Sequence, residues 1–176
     1  MANNTIRLEA ELRHLRNPPR ADEKPHGVGT VRFVARCPFG AEEILNKVIS
    51  VLEIVDEATL NGALTEEQWA FRLPEWFVSA CALPMTAEQA EQWLKRWKAL
   101  PSEEQTRVEI EKDWSLDNWL YWMEPENRQW FWWDAKVLDD CDHILVATEV
   151  EVWPFPWGSL RWLFKAAGAF AFEPED

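Results

Sequence analysis

Aromatic and acidic residues in the last third of the chain are spaced to form a binding surface. In an extended strand Trp130, Trp132 and Asp134 point to one side, because successive side chains alternate. A second strand paired with the first would add Glu149 and Glu151 to that side. Indoles beside carboxylates attract arginine and lysine side chains, and they also stack on sugar rings whose hydroxyl groups donate to the carboxylates. The spacing therefore predicts a face that binds a basic protein.

A core position for the same two indoles is the alternative. Phe131 and Trp133 point to the other side of the strand and are expected to face the core beside the apolar residues of the next strand. A helix could also cover the side that carries Trp130 and Trp132, since sheets with both faces covered are common and large exposed aromatic patches are rare. The solvent exposure of these two indoles decides between the interpretations.

A second aromatic candidate consists of Trp153, Phe155 and Trp157, which alternate with two prolines. The prolines restrict the backbone, so the rings would lose little entropy on binding a partner. The alternative is a stiff corner between a strand and a helix, with Phe155 packed in the core. If the first face is buried, this corner or a pocket is the next place to look for a binding site.

Residues 139–143 group three aspartates, a thiol and an imidazole. Mg²⁺ prefers carboxylate oxygens, and Cys141 would be a nucleophile if His143 reached it, which gives a hydrolase hypothesis. A hairpin turn is favoured instead, because aspartates bond to their own backbone in turns and the spacing is not that of an EF-hand loop. The common nucleotide-binding, serine-hydrolase and zinc-protease motifs are also missing from the sequence. We therefore predict no catalytic residues, no metal site and no cofactor.

The charge of the chain is strongly negative but unevenly distributed. The formal net charge is −13, although residues 1–40 carry seven basic and only four acidic residues. The remainder is therefore still more acidic and would repel phosphate backbones, which disfavours general nucleic-acid binding. Such a body attracts a basic partner, although acidity also serves solubility alone.

Length and composition indicate one domain over residues 1–176 with a sizeable core. Thirteen tryptophans against one tyrosine supply large rings for that core or for a partner surface, including a homodimer interface. Three cysteines without close pairs argue against a disulfide framework or a zinc site. The N-terminal residues lack the apolar segment of a signal peptide, and no apolar run is long enough for a membrane span. A cytoplasmic protein is expected.

Strands and helices must hold these residues in place. Alternating apolar residues predict four strands, over 5–13, 28–36, 129–138 and 143–152. The first two and the last two are each close enough in sequence to pair as hairpins. The fold predicted from this order is α+β, with an antiparallel sheet of four or five strands from two hairpins, a helical insert between them and a C-terminal helix.

The helical insert is predicted from apolar spacing, prolines and capping boxes, and the C-terminal helix covers residues 157–168. Residues 102–113 fit either a helix or a short strand. Prolines and glycines predict a flexible loop over 17–29, and the acidic end predicts a frayed tail over 169–176.

These observations lead to three hypotheses of function. The first is a non-enzymatic domain that binds a basic protein, by analogy with acidic antitoxin and immunity proteins. The second is a small-ligand or carbohydrate-binding protein with a tryptophan-lined pocket, which requires a concave site instead of a flat patch. The third is a hydrolase at residues 139–143.

Overall fold

The computed structural model describes residues 2–62 and 64–175, apart from the side chains at positions 2, 3 and 66. The elements follow the order α1 (Ala2–Arg16), β1 (Gly29–Arg36), α2 (Ala41–Asn61), α3 (Glu66–Arg72), α4 (Glu75–Ala80), α5 (Ala87–Lys98), α6 (Ser102–Glu111), α7 (Leu116–Met123), β2 (Trp130–Val137), β3 (His143–Val150), α8 (Gly158–Ala167) and β4 (Ala171–Pro174).

The four strands form one antiparallel sheet in the order β2-β3-β1-β4. This confirms the predicted α+β class, the four-stranded antiparallel sheet and the C-terminal helix. Strands β2 and β3 form the second predicted hairpin. The first predicted hairpin is wrong, because the neighbours of β1 are β3 and β4, and no strand precedes β1 among the described residues.

The segment predicted as the first strand, 5–13, lies within helix α1. The buried apolar residues of α1 are Leu8, Leu12 and Leu15, whose spacing of four and three places them on one side of a helix. Ile6, which completes the apparent alternation, is 60% exposed. The alternation was therefore misleading, and burial of the leucine stripe determines the helical conformation.

The C-terminal tail is ordered by a strand where fraying was predicted. Strand β4 pairs with β1, and Phe172 is buried with its ring 5.0 Å from that of Phe33 and 4.6 Å from that of Phe164. Gly168 ends α8 with a φ of 112°, a conformation that favours glycine and turns the chain back toward the sheet. The prediction for residues 169–176 is thus wrong over the described part of that range.

One face of the sheet packs against α2 and α8 and forms the core. The predicted apolar stripe of α2 is largely confirmed, since Ile44, Val48, Leu52 and Val55 are all buried. Residues 17–28 form an irregular connection between α1 and β1, and their flexibility stays a prediction.

A cluster of three buried charged side chains joins α1, α2 and the segment before β2. Arg128 donates hydrogen bonds to Glu11 and, at 3.2 Å, to Asp56, and all three side chains are inaccessible to solvent. Glu11 also accepts a 2.6 Å hydrogen bond from the backbone nitrogen of Trp132. Because β2 is an edge strand, this bond satisfies a donor that the sheet leaves unpaired.

Helices α5 and α6 extend away from the core. The capping box Thr65–Gln68 at α3 and the capping box Thr86–Gln89 at α5 are confirmed. Residues 102–111, for which helix and strand were both open, form helix α6. Neither α5 nor α6 contributes a buried residue within the described chain. Side chains of both helices are therefore available to line a pocket at the surface.

Candidate functional site

The predicted face of tryptophans and carboxylates does not exist as one surface. Trp130 is 0% exposed and Trp132 2% exposed, and both belong to the core. A β-bulge at Trp133 adds one residue to β2 between Trp132 and Asp134. Since one extra residue reverses which side of the sheet every preceding side chain faces, the predicted orientation of Trp130 and Trp132 is wrong.

The two indoles instead connect β2 to α8. The Trp130 Nε1 donates a 3.2 Å hydrogen bond to the Ser159 hydroxyl, and the Trp132 ring stacks at 6.5 Å on that of Phe164. A buried indole needs a partner for its N–H, and Ser159 supplies it for Trp130. Both residues therefore have structural roles in the core.

The predicted carboxylates lie on the opposite side of the sheet. Arg7 of α1 forms an ion pair with Glu151 and lies 3.9 Å from Glu149, and its guanidinium is 5.0 Å from the centre of the Phe131 ring. Glu149 is buried, and Asp134 is partly exposed on the same outer face. A residue of the chain itself thus occupies the position that was predicted for a basic partner.

The aromatic corner after β3 divides into residues with different environments. Trp153 is 61% exposed, whereas Phe155 is 6% exposed and packs in the core, as the alternative interpretation predicted. Trp157 is partly buried, with its ring 5.2 Å from that of Phe33. Phe155 and Trp157 also line a pocket, which joins this corner to the helical insert.

This pocket has a volume of about 440 Å³ and is lined by residues from α5, α6, α7 and α8 and from the connections next to them. We call it the tryptophan pocket, because four indoles form its walls. These are Trp93, Trp114, Trp122 and Trp157. Polar side chains also line it, and these belong to Thr106, Glu109, Lys112, Asn118, Ser159 and Arg161.

Close packing at the start of α8 fixes one wall of the tryptophan pocket. A Cβ atom added to Gly158 would lie 2.9 Å from Cζ2 of Trp114, so the indole requires glycine at this position. Trp119 of α7 is fully buried and donates a 3.0 Å hydrogen bond to the carbonyl of Ser159. These contacts hold α7 and the segment before it against the N-terminus of α8.

Two cations face the tryptophan pocket. The Lys112 Nζ lies 3.9 Å from the centre of the Trp93 ring, and the Arg161 guanidinium lies 5.1 Å from that of Trp157. Burial lowers the pKa of both groups, while the charge of Glu109 partly opposes that change. Within the described part of the chain, neither cation forms an ion pair or a hydrogen bond.

A second cavity of about 580 Å³ lies next to the tryptophan pocket and shares Ile110 and Arg161 with it. Its lining is mostly apolar and includes Phe39 and Phe170, which are 91% and 72% exposed. Arg161 therefore lies between an aromatic cavity and an apolar one.

Residues 138–142 form the connection between β2 and β3, as the turn interpretation predicted, and His143 begins β3. Oδ1 of Asp140 accepts hydrogen bonds from the backbone nitrogens of Asp142 and His143, and its Oδ2 lies 2.7 Å from Nδ1 of His143. The backbone hydrogen bonds and His143 lower the pKa of Asp140. The Cys141 thiol contacts the carbonyl of Asp139, and no contact joins it to His143 in the described chain.

Sequence spacing pointed to Phe155 and Trp157 but not to the other residues of the tryptophan pocket. The missed residues are Trp93, Lys112, Trp114, Trp122 and Arg161. Tryptophan content was the one available signal, because these residues come from separate elements that only the tertiary fold brings together. The spacing of residues within a single helix or strand cannot predict a site of this kind.

Comparison with known proteins finds no matching family model, no matching curated protein and no matching solved structure. Among the described residues, no helix combines the length and apolarity needed to cross a membrane. The same part of the chain holds no group of three or more His, Cys, Asp or Glu side chains suited to a metal ion.

Proposed function

We propose that this protein binds a small organic ligand in the tryptophan pocket. The observation that carries this proposal is the cavity of about 440 Å³ with indole walls at Trp93, Trp114, Trp122 and Trp157. Ligand sites in proteins are typically concave, lie in the range of about 300–1,000 Å³ and combine apolar walls with few polar groups. The tryptophan pocket lies within this volume range and has aromatic walls, with six polar side chains beside them.

Indole walls favour a ligand with a flat apolar surface. Aromatic rings stack on indoles or contact them edge to face, and the apolar side of a sugar ring contacts them in a similar way. Thr106 and Asn118 supply a hydroxyl and an amide that can hydrogen-bond to polar groups of such a ligand. The indole walls thus contribute affinity for a flat ligand, and hydrogen bonds from the polar side chains orient that ligand.

The basic-protein hypothesis has less support from the arrangement of its residues. Its two central indoles, Trp130 and Trp132, are core residues, and Arg7 contacts its carboxylates Glu149 and Glu151. The net charge of −13 still favours a basic partner. Binding of a basic protein or of a second copy of the chain stays a prediction without an assigned surface, and we prefer the small ligand.

A ligand screen with matched variants tests the proposal. Ligand-detected NMR with flat aromatic compounds and simple sugars should identify binders, whose dissociation constants are then measured by calorimetry. Replacing Trp114 or Trp122 with alanine should weaken binding at least about tenfold, because either change removes part of a stacking wall. Trp153→Ala is the control, since Trp153 is 61% exposed and does not line the tryptophan pocket.

The affinities of the three variants for the same ligands decide whether the proposal holds. Circular dichroism and urea unfolding verify that each variant is folded, and Trp122→Ala serves if Trp114→Ala does not fold. Ligands that bind all three variants with unchanged affinity would contradict the proposal, as would a complete absence of binders.

A further inference from the structure

The charges in the tryptophan pocket differ in sign from those of the chain as a whole. The chain has a net charge of −13, whereas the lining of this pocket has two cations, Lys112 and Arg161, and one carboxylate, Glu109. A positive lining within a negative protein is not explained by solubility, which the acidic surface already provides. The positive lining of the tryptophan pocket therefore favours a negatively charged ligand.

Both cations lie against apolar surface and form no ion pair within the described chain, although the charge of Glu109 acts on each of them. Lys112 lies on the Trp93 ring and Arg161 on the Trp157 ring, and both side chains are partly buried. Contact with an indole compensates a desolvated cation only in part. The lowered pKa of each group shows that burial disfavours its charged form, and an anion in the pocket would reverse that effect.

The start of α8 adds to the positive potential of these cations. Gly158 and Ser159 of its first turn line the tryptophan pocket. The residue before the helix, Trp157, provides no side-chain hydrogen bond to the first turn. Backbone N–H groups at a helix N-terminus favour anions, and here they act together with Lys112 and Arg161.

We infer that the ligand of the tryptophan pocket is a flat apolar molecule with an oxyanion group, and that Arg161 and Lys112 bind the oxyanion. This inference rests on the proposed function and narrows it to one class of ligand. The oxyanion is a carboxylate or a phosphate, because a guanidinium matches both. A neutral sugar would use the walls but leave both cations without a partner.

Two pairs of naphthyl probes test the effect of charge, and the first pair, a carboxylate and its amide, is matched in size. 1-Naphthoate is compared with the neutral 1-naphthamide, and 1-naphthyl phosphate is compared with the neutral 1-naphthol. Each anion should bind at least about tenfold more tightly than its neutral counterpart, which is the usual effect of one charge-assisted hydrogen bond. The preferred anion, carboxylate or phosphate, identifies the oxyanion. Added salt should reduce the affinity of the anions and leave that of the neutral probes unchanged.

The variant Arg161→Gln should reduce the preference for the anions, measured as the ratio of the affinities of that variant for 1-naphthoate and 1-naphthamide. Arg72→Gln is the matched control, since Arg72 is exposed and lies outside the tryptophan pocket. Lys112→Gln provides a second test and should reduce the same preference.

The possible results distinguish the inference about the oxyanion from the proposal that the tryptophan pocket binds a small ligand. Equal binding of the anion and its neutral counterpart, with sensitivity to Trp114→Ala, would keep the pocket as a ligand site and overturn the inference. A preference that persists in both Arg161→Gln and Lys112→Gln would overturn it as well. Failure of all four naphthyl probes to bind would overturn the inference, whereas the proposed function would fall only if the wider screen of aromatic compounds and sugars also found no binder.

Discussion

Arg128 and Arg161 have similar aromatic contacts but very different electrostatic surroundings. The guanidinium of Arg128 lies 5.2 Å from the centre of the Trp130 ring, and that of Arg161 lies 5.1 Å from that of Trp157. Arg128 is inaccessible to solvent and binds two carboxylates of the chain. Arg161 is partly exposed, lines a pocket and forms no ion pair among the described residues, and the charge of Glu109 acts on it only from beyond ion-pair distance.

The difference shows how burial separates a structural charge from a charge available to a ligand. A fully buried guanidinium requires compensation within the fold, and Glu11 and Asp56 reach Arg128 from two helices distant in sequence. Partial exposure lets water solvate Arg161, so the fold tolerates it without an acid. The first arrangement contributes to stability, and the second is available for recognition.

The largest expected effect is on stability, from replacing each arginine with methionine. Arg128→Met leaves two buried carboxyl groups without a cation and should lower the free energy of unfolding by about 3–5 kcal/mol. Arg161→Met loses only an exposed cation–π contact and should cost at most about 1 kcal/mol. Urea unfolding of both variants measures the difference. Similar losses in the two variants would contradict the distinction between the two regions.

An intermediate effect is expected where the wall of the tryptophan pocket meets α8. The added methyl group of Gly158→Ala would lie 2.9 Å from the Trp114 ring, so the ring must move. We expect a loss of about 1–3 kcal/mol in the free energy of unfolding, measured in urea, together with weaker binding of 1-naphthoate.

The double variant Gly158→Ala/Trp114→Phe tests the cause of this loss. Phenylalanine has a smaller ring, so the contact at Gly158 is relieved and part of the stability should return. If the effects of the two substitutions simply add, the loss does not come from this contact.

Much of the fold could be predicted from local patterns. The buried side chains of β3 and of α2 each lie mainly on one side of their element. Burial on one side produces a regular spacing of apolar residues, and that spacing can be recognised in the sequence. The capping box at Thr86 is likewise a local interaction between neighbouring residues. Because the two predicted strands of the β2–β3 hairpin are joined by an aspartate-rich turn, their pairing was also predictable.

The errors arise where tertiary contacts override a local pattern. Residues 5–13 alternate, but α1 buries Leu8, Leu12 and Leu15 together. One extra residue at Trp133 reverses the side of β2 that faces the core, and no turn residue marks that bulge in the sequence. The tryptophan pocket depends on several elements at once, so its composition was visible but its assembly was not.

A weaker effect is expected on the pH dependence of stability, which originates near Arg128. Burial raises the pKa of Glu11 and of Asp56, and the charge of Glu11 raises that of Asp56 further. A carboxyl group with a raised pKa in the folded state stabilises the fold fully below its ordinary pKa of about 4. That contribution is lost as the pH rises through the folded-state value, so the free energy of unfolding should fall between pH 4 and neutral pH.

Asp56→Asn removes the titrating group while keeping its shape, so the variant should lose less stability than the native protein as the pH rises. Urea unfolding at a series of pH values measures both slopes. Asp22→Asn removes the same charge from an exposed position and should leave the native slope unchanged. Parallel slopes for Asp56→Asn and the native protein would mean that Asp56 does not take up a proton on folding. Asp56 would then stay charged beside Arg128, and the pH dependence would have to come from Glu11 or from the net charge of the surface.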